Sequence, residues 1–351
     1  MTGISRAGIN SPGSYPANNP YQGLNDTLDL YRIAEEIGYQ TAGIRQRHLE
    51  WGSSSALTFL AAATQRTTKI NLETNVVPLG YENPFRLAED FSTVAALSQG
   101  RLAVGISTSV PHQELLAPLN RTDVSPLTDS YGLIKRFLEA LRGNPLSDEL
   151  IPTPYGTVHT PSINPHIPDL INNVWLGAGS DRSTTWAAQH GLSIYLGNIT
   201  NAVDDLSFEE AQRARLDLYY QEFKGENAPR VAVERVILPL DSASAEQTKH
   251  YQEFAAARSA RTAHRHGERR SLIQPDLIGS SDEIIEQLKN DSVFDGRTEL
   301  RVGLPYAFDR EEYIQIIRDI AELVLPAFGW NPDAASPSDL PPHDNSKELL
   351  G

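Results

Sequence analysis

The chain lacks cysteine altogether and is poor in basic residues. Without cysteine, neither disulfide bonds nor thiolate metal sites can form among its 351 residues. Its 30 lysines and arginines stand against 45 aspartates and glutamates, which gives a formal net charge of −15 at pH 7. Because a general nucleic-acid binder needs a basic face, this charge predicts that nucleic acid is not a partner.

Long apolar runs are also missing. The longest near-apolar stretch, residues 56–63, is too short to span a bilayer, and residues 1–20 contain no apolar signal core. We therefore expect a cytoplasmic protein with no membrane partner. Hydrophobic residues still make up 40% of the chain, which is enough for a sizeable core.

Strand and helix patterns alternate almost from one end of the chain to the other. Helical stripes such as Leu24, Leu28, Tyr31 and Ala34 follow short β-rich runs. The predicted strands cover residues 4–10, 39–44, 70–77, 101–106, 173–177, 192–197, 231–238 and 299–302. About eight strand–helix pairs predict an α/β fold, a (β/α)8 TIM barrel with loop insertions.

Three segments lie outside this alternation. Residues 144–168 are rich in proline and residues 243–275 separate the last two predicted strands, so we expect both to be insertions. Residues 331–351 are rich in Pro, Ser and Asp and read as a C-terminal tail. The expected organisation is a single barrel domain over residues 1–330 followed by this tail.

The most informative stretch is residues 70–109, which reads as strand, helix and strand. Asn83 suits an N-cap, Pro84 suits the first helical position and Gly100 suits a left-handed helix end. The short connections predict parallel strands joined by a right-handed crossover. Chemistry in such a barrel lies at the carboxyl ends of the strands, here near Asn75 and Ser107.

The same stretch contains VVPLGYENPFRLAEDFSTVAALSQGRLAVGI, residues 76–106, which resembles the matching segment of the bacterial luciferase-like flavin monooxygenases. That family shows V-V-P-L, then N-P-x-R-x-A-E-D, then L-S-x-G-R-x-x-x-G. The resemblance implies oxidation of a small organic substrate by O2 with reduced FMN from a separate NAD(P)H:flavin reductase. It also leaves open an F420-dependent oxidoreductase on the same barrel, or a catalytically silent flavin-binding homologue.

A second segment, residues 172–198, offers an anion site. Gly177, Ala178 and Gly179 follow a predicted strand, and Ser180 and Ser183 open the next helix, where free backbone N–H groups attract phosphate. Ordinary helix capping explains the same spacing equally well. The resemblance implies that this segment holds the flavin phosphate, with Gly177, Gly179, Ser180 and Ser183 as its cofactor-binding residues.

The family often carries Glu-His-His after the second strand, where this chain has Gln46, Arg47 and His48. Arginine cannot act as a general base at neutral pH, so Arg47 is expected to bind an anionic substrate or cofactor. His48 remains as the candidate catalytic acid or base. A purely structural role beside Trp51 is the alternative reading of His48.

The remaining candidates follow strand ends. The resemblance places Thr74 and Asn75 where the backbone approaches the isoalloxazine ring, and Ser107 and Val110 on the same face as cofactor-binding residues. His112 follows and is expected to reach the substrate. The pair His264 and His266 has no third ligand at a matching spacing, so we expect no metal site.

The family dimerises through the helices predicted over residues 53–66 and 84–98. Both are rich in alanine and serine, which permits close packing against another helix. The resemblance therefore implies a homodimer, although burial inside one chain would explain the same composition.

Overall fold

Eight strands run parallel around a closed barrel in the computed structural model, which describes residues 3–109, 130–149, 151–152, 154, 158–159, 161–201, 205–262, 264–267, 270–306 and 308–333. Each strand pairs with the next along the chain, and pairing of the first with the last closes the ring, with Ala7 opposite Leu300. The barrel strands are β1 (Arg6–Ser11), β2 (Thr41–Ile44), β3 (Asn71–Thr74), β4 (Leu102–Ser107), β5 (Val174–Gly177), β6 (Ser193–Leu196), β7 (Val231–Arg235) and β8 (Thr298–Gly303).

Helices follow the strands and pack around the outside of the barrel. They are α1 (Pro20–Ile37), α2 (Ala56–Thr64), α3 (Pro84–Leu97), α4 (Ser130–Leu141), α5 (Asp181–Gln189), α6 (Phe208–Glu222), α7 (Ala245–Thr262), α8 (Ser281–Asn290) and α9 (Arg310–Asp319). Their apolar stripes face the strands because a helix must bury its hydrophobic side. None of the helices in the described ranges has the length and apolar character needed to cross a membrane.

Local sequence sets the helix starts. Asn83 accepts from the backbone N–H groups of Phe85 and Arg86, and Pro84 is the first residue of α3, as predicted. Ser280 and Glu283 form a reciprocal capping box at the start of α8. These caps satisfy backbone donors that would otherwise lack a partner.

The predicted (β/α)8 barrel is confirmed, with two differences in strand length. The run predicted over residues 70–77 ends as β3 at Thr74, and Val77–Pro78 then pairs separately with the end of β4. The run predicted over residues 231–238 divides into β7 and Ile237–Pro239, which pairs with Leu277–Gly279. In both places the chain bends where it leaves the barrel wall.

The predicted insertions carry short elements of their own. Ile151–Pro152 and Val158–His159 form an antiparallel pair within residues 144–168. Residues 243–275 contain α7 and the strand Ser271–Ile273, which pairs with Ile199–Asn201. The predicted tail lies outside the described residues from residue 334 onward.

Charged side chains occupy the centre of the barrel. The guanidinium of Arg301, almost fully buried, donates to Glu73 at 2.6 Å and to Glu299 at 3.0 Å. Arg230 adds a second cation beside Glu299 at 2.9 Å. Burial alone would raise the pKa of Glu299, but Arg230 and Arg301 outweigh it and leave that pKa below its usual value. Glu299 is therefore ionised at neutral pH and paired with Arg230 and Arg301.

Candidate active site

A cavity of about 210 Å³ lies at the carboxyl ends of β2, β3 and β4. It brings together four residues that the sequence singled out: Arg47, His48, Asn75 and Ser107. They meet because the carboxyl ends of neighbouring parallel strands share one edge of the barrel. The other lining residues are Gln46, Glu50, Val76, Pro78, Tyr81 and Ser109.

His48 is half-buried in the wall of this cavity. Its ring lies against the Tyr81 ring, with centroids 4.2 Å apart, and its Nε2 lies 3.5 Å from Gln46 Nε2. Gln46 is itself held by Glu82 at 3.0 Å and by the backbone N–H of Ala56. Trp51 instead packs edge-on against Tyr15. His48 thus lines the cavity and contacts Tyr81 and Gln46, and its catalytic role stays a prediction.

Arg47 is exposed at the mouth of the same cavity. Its backbone N–H donates to the Ser53 carbonyl at 2.9 Å, which fixes the loop after β2 while leaving the side chain at the surface. Glu50 lines the cavity beside it. The mouth thus carries one cation and one anion, and Arg47 is placed to attract an anionic group.

Two side chains at the end of β3 are held by hydrogen bonds within the barrel. The Thr74 hydroxyl donates to the Gly105 carbonyl at 2.7 Å and accepts from its N–H at 2.9 Å, so it ties β3 to β4. Asn75 Nδ2 donates to Glu73 at 2.7 Å, across Gly43, whose lack of a Cβ makes the room. The Thr74 hydroxyl is thus taken up between strands, whereas Asn75 also lines the cavity.

A polar layer beneath the cavity was missed by the sequence analysis. Tyr195 donates to Glu234 at 2.7 Å and accepts from Asn10 Nδ2 at 3.1 Å, and Arg45 pairs with Glu234. Burial, then Glu234, raises the pKa of Tyr195 well above its usual value. The Oδ1 atom of Asn10 is buried without a partner. Polar residues at the ends of predicted strands were the available signal, since such positions face the barrel interior.

The start of α5 combines capping with an anion-binding geometry. Ser180 Oγ accepts from the Ser183 N–H at 3.2 Å, and Ser183 Oγ accepts from the Ser180 N–H at 3.1 Å. Gly179 is exposed, and only the Ile199 carbonyl oxygen lies within 4 Å of where its Cβ would stand. Both predicted hydroxyls therefore already cap the helix, and the open space lies over Gly179.

Two arginines surround this helix start. Arg182 stacks over the Tyr131 ring at 4.8 Å, and the buried guanidinium of Arg215 lies 3.6 Å from Asp181. Gly177 connects the helix start to the cavity, because its Cβ position lies 3.5 Å from both Ser107 and Val76. Free N–H groups, an open glycine and nearby cations fit a phosphate group.

Several predicted features fall elsewhere. Val110 and His112 lie outside the described residues, so their predicted contacts stay predictions. His266 Nε2 contacts the Arg261 carbonyl at 2.6 Å. Within the described ranges, no group of three or more His, Asp or Glu side chains is arranged to hold a metal ion.

Comparison with curated proteins finds relatives among oxygenases. The chain is 30% identical over 142 residues to a 4-hydroxyprotoasukamycin monooxygenase of Streptomyces nodosus subsp. asukaensis. It is 24% identical over 208 residues to the alkanal monooxygenase alpha chain of Photorhabdus luminescens. These alignments cover 39% and 55% of this chain. The chain spans about half of these relatives' length or less, with 38% and 51% covered.

Solved structures share the fold at low identity. A monooxygenase of Streptomyces bottropensis has a TM-score of 0.69 at 20% identity, with 92% of this chain and 99% of that one covered. The oxygenating constituent of 3,6-diketocamphane monooxygenase of Pseudomonas putida, in complex with FMN, has 0.69 at 15%, covering 93% and 99%. A coenzyme F420-dependent tetrahydromethanopterin reductase of Methanopyrus kandleri has 0.61 at 15%, with the same coverage.

The family assignment comes from the sequence as a whole. Residues 5–296 match the profile of the luciferase-like monooxygenases, which spans β1 to the residues just before β8. The match includes the loops that form the cavity after β2, β3 and β4 as well as the start of α5. The chain is a member of the luciferase-like monooxygenase family.

Proposed function

We propose that this protein is a flavin-dependent monooxygenase that uses reduced FMN and O2 to oxidise a small organic substrate. A separate NAD(P)H:flavin reductase would supply the reduced flavin. The observation that carries the proposal is the nearness of the cavity at β2–β4 to the start of α5, since the Cβ position of Gly177 lies 3.5 Å from Ser107 and from Val76, which line the cavity. A flavin needs such an arrangement, because it places a planar ring and a phosphate at opposite ends of one molecule.

Each group in the site then has a role. The N–H of Gly179 and the hydroxyls of Ser180 and Ser183 would hold the phosphate, and the residues after Thr74 together with Ser107 would line the ring. Bound reduced FMN would supply the electrons that activate O2. His48 would hold or move a proton at its imidazole nitrogen, and Arg47 would attract the anionic part of a ligand.

Coenzyme F420 is the second candidate cofactor. The likeness to the F420-dependent reductase of Methanopyrus kandleri supports it, since the same barrel there serves a deazaflavin. Under this alternative the protein would transfer hydride and leave O2 unused. A third possibility is a flavin-binding protein without turnover, to which the arginine at position 47 lends support.

Titration of the purified protein with FMN, reduced FMN and F420 separates these functions. We expect FMN fluorescence to be quenched on binding, and O2 consumption to require NADH and an added flavin reductase. Binding of F420 alone would transfer the assignment to the second candidate. Binding of FMN without O2 consumption or product under any substrate would contradict the monooxygenase.

We also propose that the protein is a homodimer through α2 and α3. Leu97, near the end of α3, has 48% of its surface exposed, which is high for a large apolar side chain. Light scattering at micromolar concentration should report twice the chain mass of 38.7 kDa. Replacing Leu97 with Glu should shift the mass toward one chain, and a monomeric unmodified protein would refute the dimer.

A further inference from the structure

A second and larger cavity, of about 1040 Å³, opens beside the candidate active site. The loops after β1, β2 and β8 form its walls together with the first turns of α1. Cavities that hold drug-sized ligands usually measure about 300–1,000 Å³. This one is therefore large enough for a molecule of that size, which the 210 Å³ cavity is not.

Five aromatic side chains line the large cavity. Tyr15 and Trp51 meet edge to face at 6.5 Å on one side. Phe308 lies on the other side and stacks on Tyr251 of α7 at 5.1 Å. Trp51 is 64% exposed at the rim, and Leu49 beside it is 65% exposed. Large apolar side chains left open around a cavity are typical of a ligand site.

The charges around the cavity are predominantly negative. The acids Asp26, Glu50, Asp309 and Glu311 line it, against one cation, Arg310. Arg310 is already paired with Glu311 at 2.6 Å. An anion entering the cavity would therefore meet unfavourable charge, whereas a neutral or cationic molecule would not.

The large cavity adjoins the site proposed for the flavin. Glu50 lines both cavities, and the Cβ position of Gly52, two residues on, lies 3.2 Å from the Tyr306 ring in the wall. Strands β8, β1 and β2 are consecutive around the barrel, and β3 follows β2. A flavin spread over β3 to β5 would thus meet the contents of this cavity at the loop that carries Arg47 and His48.

We propose that the large cavity binds the organic substrate, and that this substrate is a neutral or cationic molecule with an aromatic or other bulky apolar body. That the ligand is a substrate rests on the proposed monooxygenase function, whereas the chemistry of the ligand rests on the cavity alone. Carboxylates and phosphorylated compounds are excluded as good ligands by the acidic wall. Of the two anionic partners expected for Arg47 from the sequence, substrate or cofactor, this ligand chemistry favours the cofactor.

Three naphthalene probes of equal body test the ligand chemistry: 1-naphthylmethylamine, 1-naphthylmethanol and 1-naphthoic acid. Calorimetric titration should give dissociation constants for the amine and the alcohol about tenfold or more below that of the acid. Asp26→Asn should reduce the preference for the amine over the alcohol, whereas Asp217→Asn, on the exposed face of α6, should leave it unchanged. Equal binding of all three probes would overturn the charge argument.

Matched variants test the place of binding. Leu49→Ala removes apolar surface from the cavity rim and should weaken the alcohol about fivefold. Leu146→Ala, at a site of similar exposure far along the chain, is the control and should change nothing. Ala17→Trp fills the cavity from its wall and should abolish probe binding. Probe binding that survives both Leu49→Ala and Ala17→Trp would overturn the location.

The same samples keep this inference separate from the proposed function. FMN binding, followed by its fluorescence, should persist in Ala17→Trp while probe binding is lost. If FMN binds and the probes do not, the cavity inference fails and the flavin assignment stands. If the probes bind as expected and FMN does not, the monooxygenase fails while the ligand site stands. A fall in molecular mass on Leu49→Ala would mark the face as a contact between chains and overturn the inference.

Discussion

At the scale of single residues, Arg47 and His48 have different roles in the proposed site. Arg47 stands exposed at the mouth and keeps its charge at any physiological pH, so it can attract but cannot shuttle protons. His48 lies half-buried against Tyr81 and Gln46, where side chains orient its ring. The proposed function therefore assigns proton transfer to His48.

Replacing His48 with Gln should separate binding from chemistry. The amide keeps a polar group in the wall but cannot exchange a proton, so flavin binding should change little and turnover should fall by about 10²–10⁴. Steady-state kinetics and fluorescence titration on the same sample measure both. His190→Gln, whose ring stacks on Trp186, is the matched control. An unchanged turnover would return His48 to a structural role.

At the scale of elements, the start of α5 serves two purposes. Its serines close a capping box, and Gly179, directly before the box, is exposed. The helices α6 and α8 begin with the same kind of box, at Ser207 and Ser280, away from the cavity. Capping is therefore a general device of this chain, and phosphate binding is the additional task proposed for α5.

The double variant Ser180→Ala, Ser183→Ala should lose both functions. The lost cap should cost about 1 kcal/mol of stability, and the dissociation constant for FMN should rise about tenfold or more, since hydrogen bonds to charged groups are the stronger ones. Ser207→Ala is the control that loses a cap of α6 alone. Thermal unfolding measures the loss of stability, and flavin titration measures the loss of affinity for FMN. Equal flavin affinity in all three proteins would remove the phosphate from this helix.

The contact between β3 and β4 tolerates no added atom at Gly105. A Cβ there would overlap the Thr74 carbonyl oxygen, which belongs to the backbone and cannot move aside. Gly105→Ala should destabilise the protein by about 3 kcal/mol, as measured by urea unfolding. Gly197→Ala, where the Cβ meets open space, should stay near the parent value. A neutral Gly105→Ala would mean that the two strands separate easily.

At the scale of the whole molecule, the interior of the barrel contains paired charges as well as apolar side chains. Arg301, Glu73, Glu299 and Arg230 join strands from both halves of the chain. Removing one partner of such a group leaves a buried charge uncompensated, which costs more than the pair contributes. The cluster thus makes the fold depend on ionisation.

Acid should weaken the fold through these carboxyls. The folded pKa of Glu299 is lowered, and its unfolded value is about 4.3. Its stabilisation is therefore complete above about pH 4.3 and is lost as the pH falls through the folded pKa. Urea unfolding at several pH values should show this loss. Glu299→Gln should lower the free energy of unfolding by about 3 kcal/mol at pH 7 and should reduce the loss of stability in acid. Glu226→Gln, at an exposed position, is the control and should keep the acid dependence of the parent protein.

Local sequence patterns are sufficient to predict the order of the elements and the edge of the barrel at which the candidate site lies. The signals are local: the spacing of apolar residues, the residues after β3, and helix caps such as Asn83 and Ser280. Local signals can be read without knowledge of the fold. Arg47, His48 and Ser107 line one cavity because each lies at or just after the carboxyl end of a strand. The family resemblance is also carried by a local stretch, residues 76–106.

The orientation of the side chains and the contacts between distant segments depend on the folded barrel and cannot be read from local sequence. Asn75 turns toward Glu73 because Gly43 leaves the room, and the layer of Asn10, Tyr195 and Glu234 exists only once the strands stand in a ring. Ser14 and Tyr313 lie 299 residues apart and touch at 3.0 Å in the wall of the large cavity. Barrel closure brings the two ends of the chain together, and no local pattern records that contact.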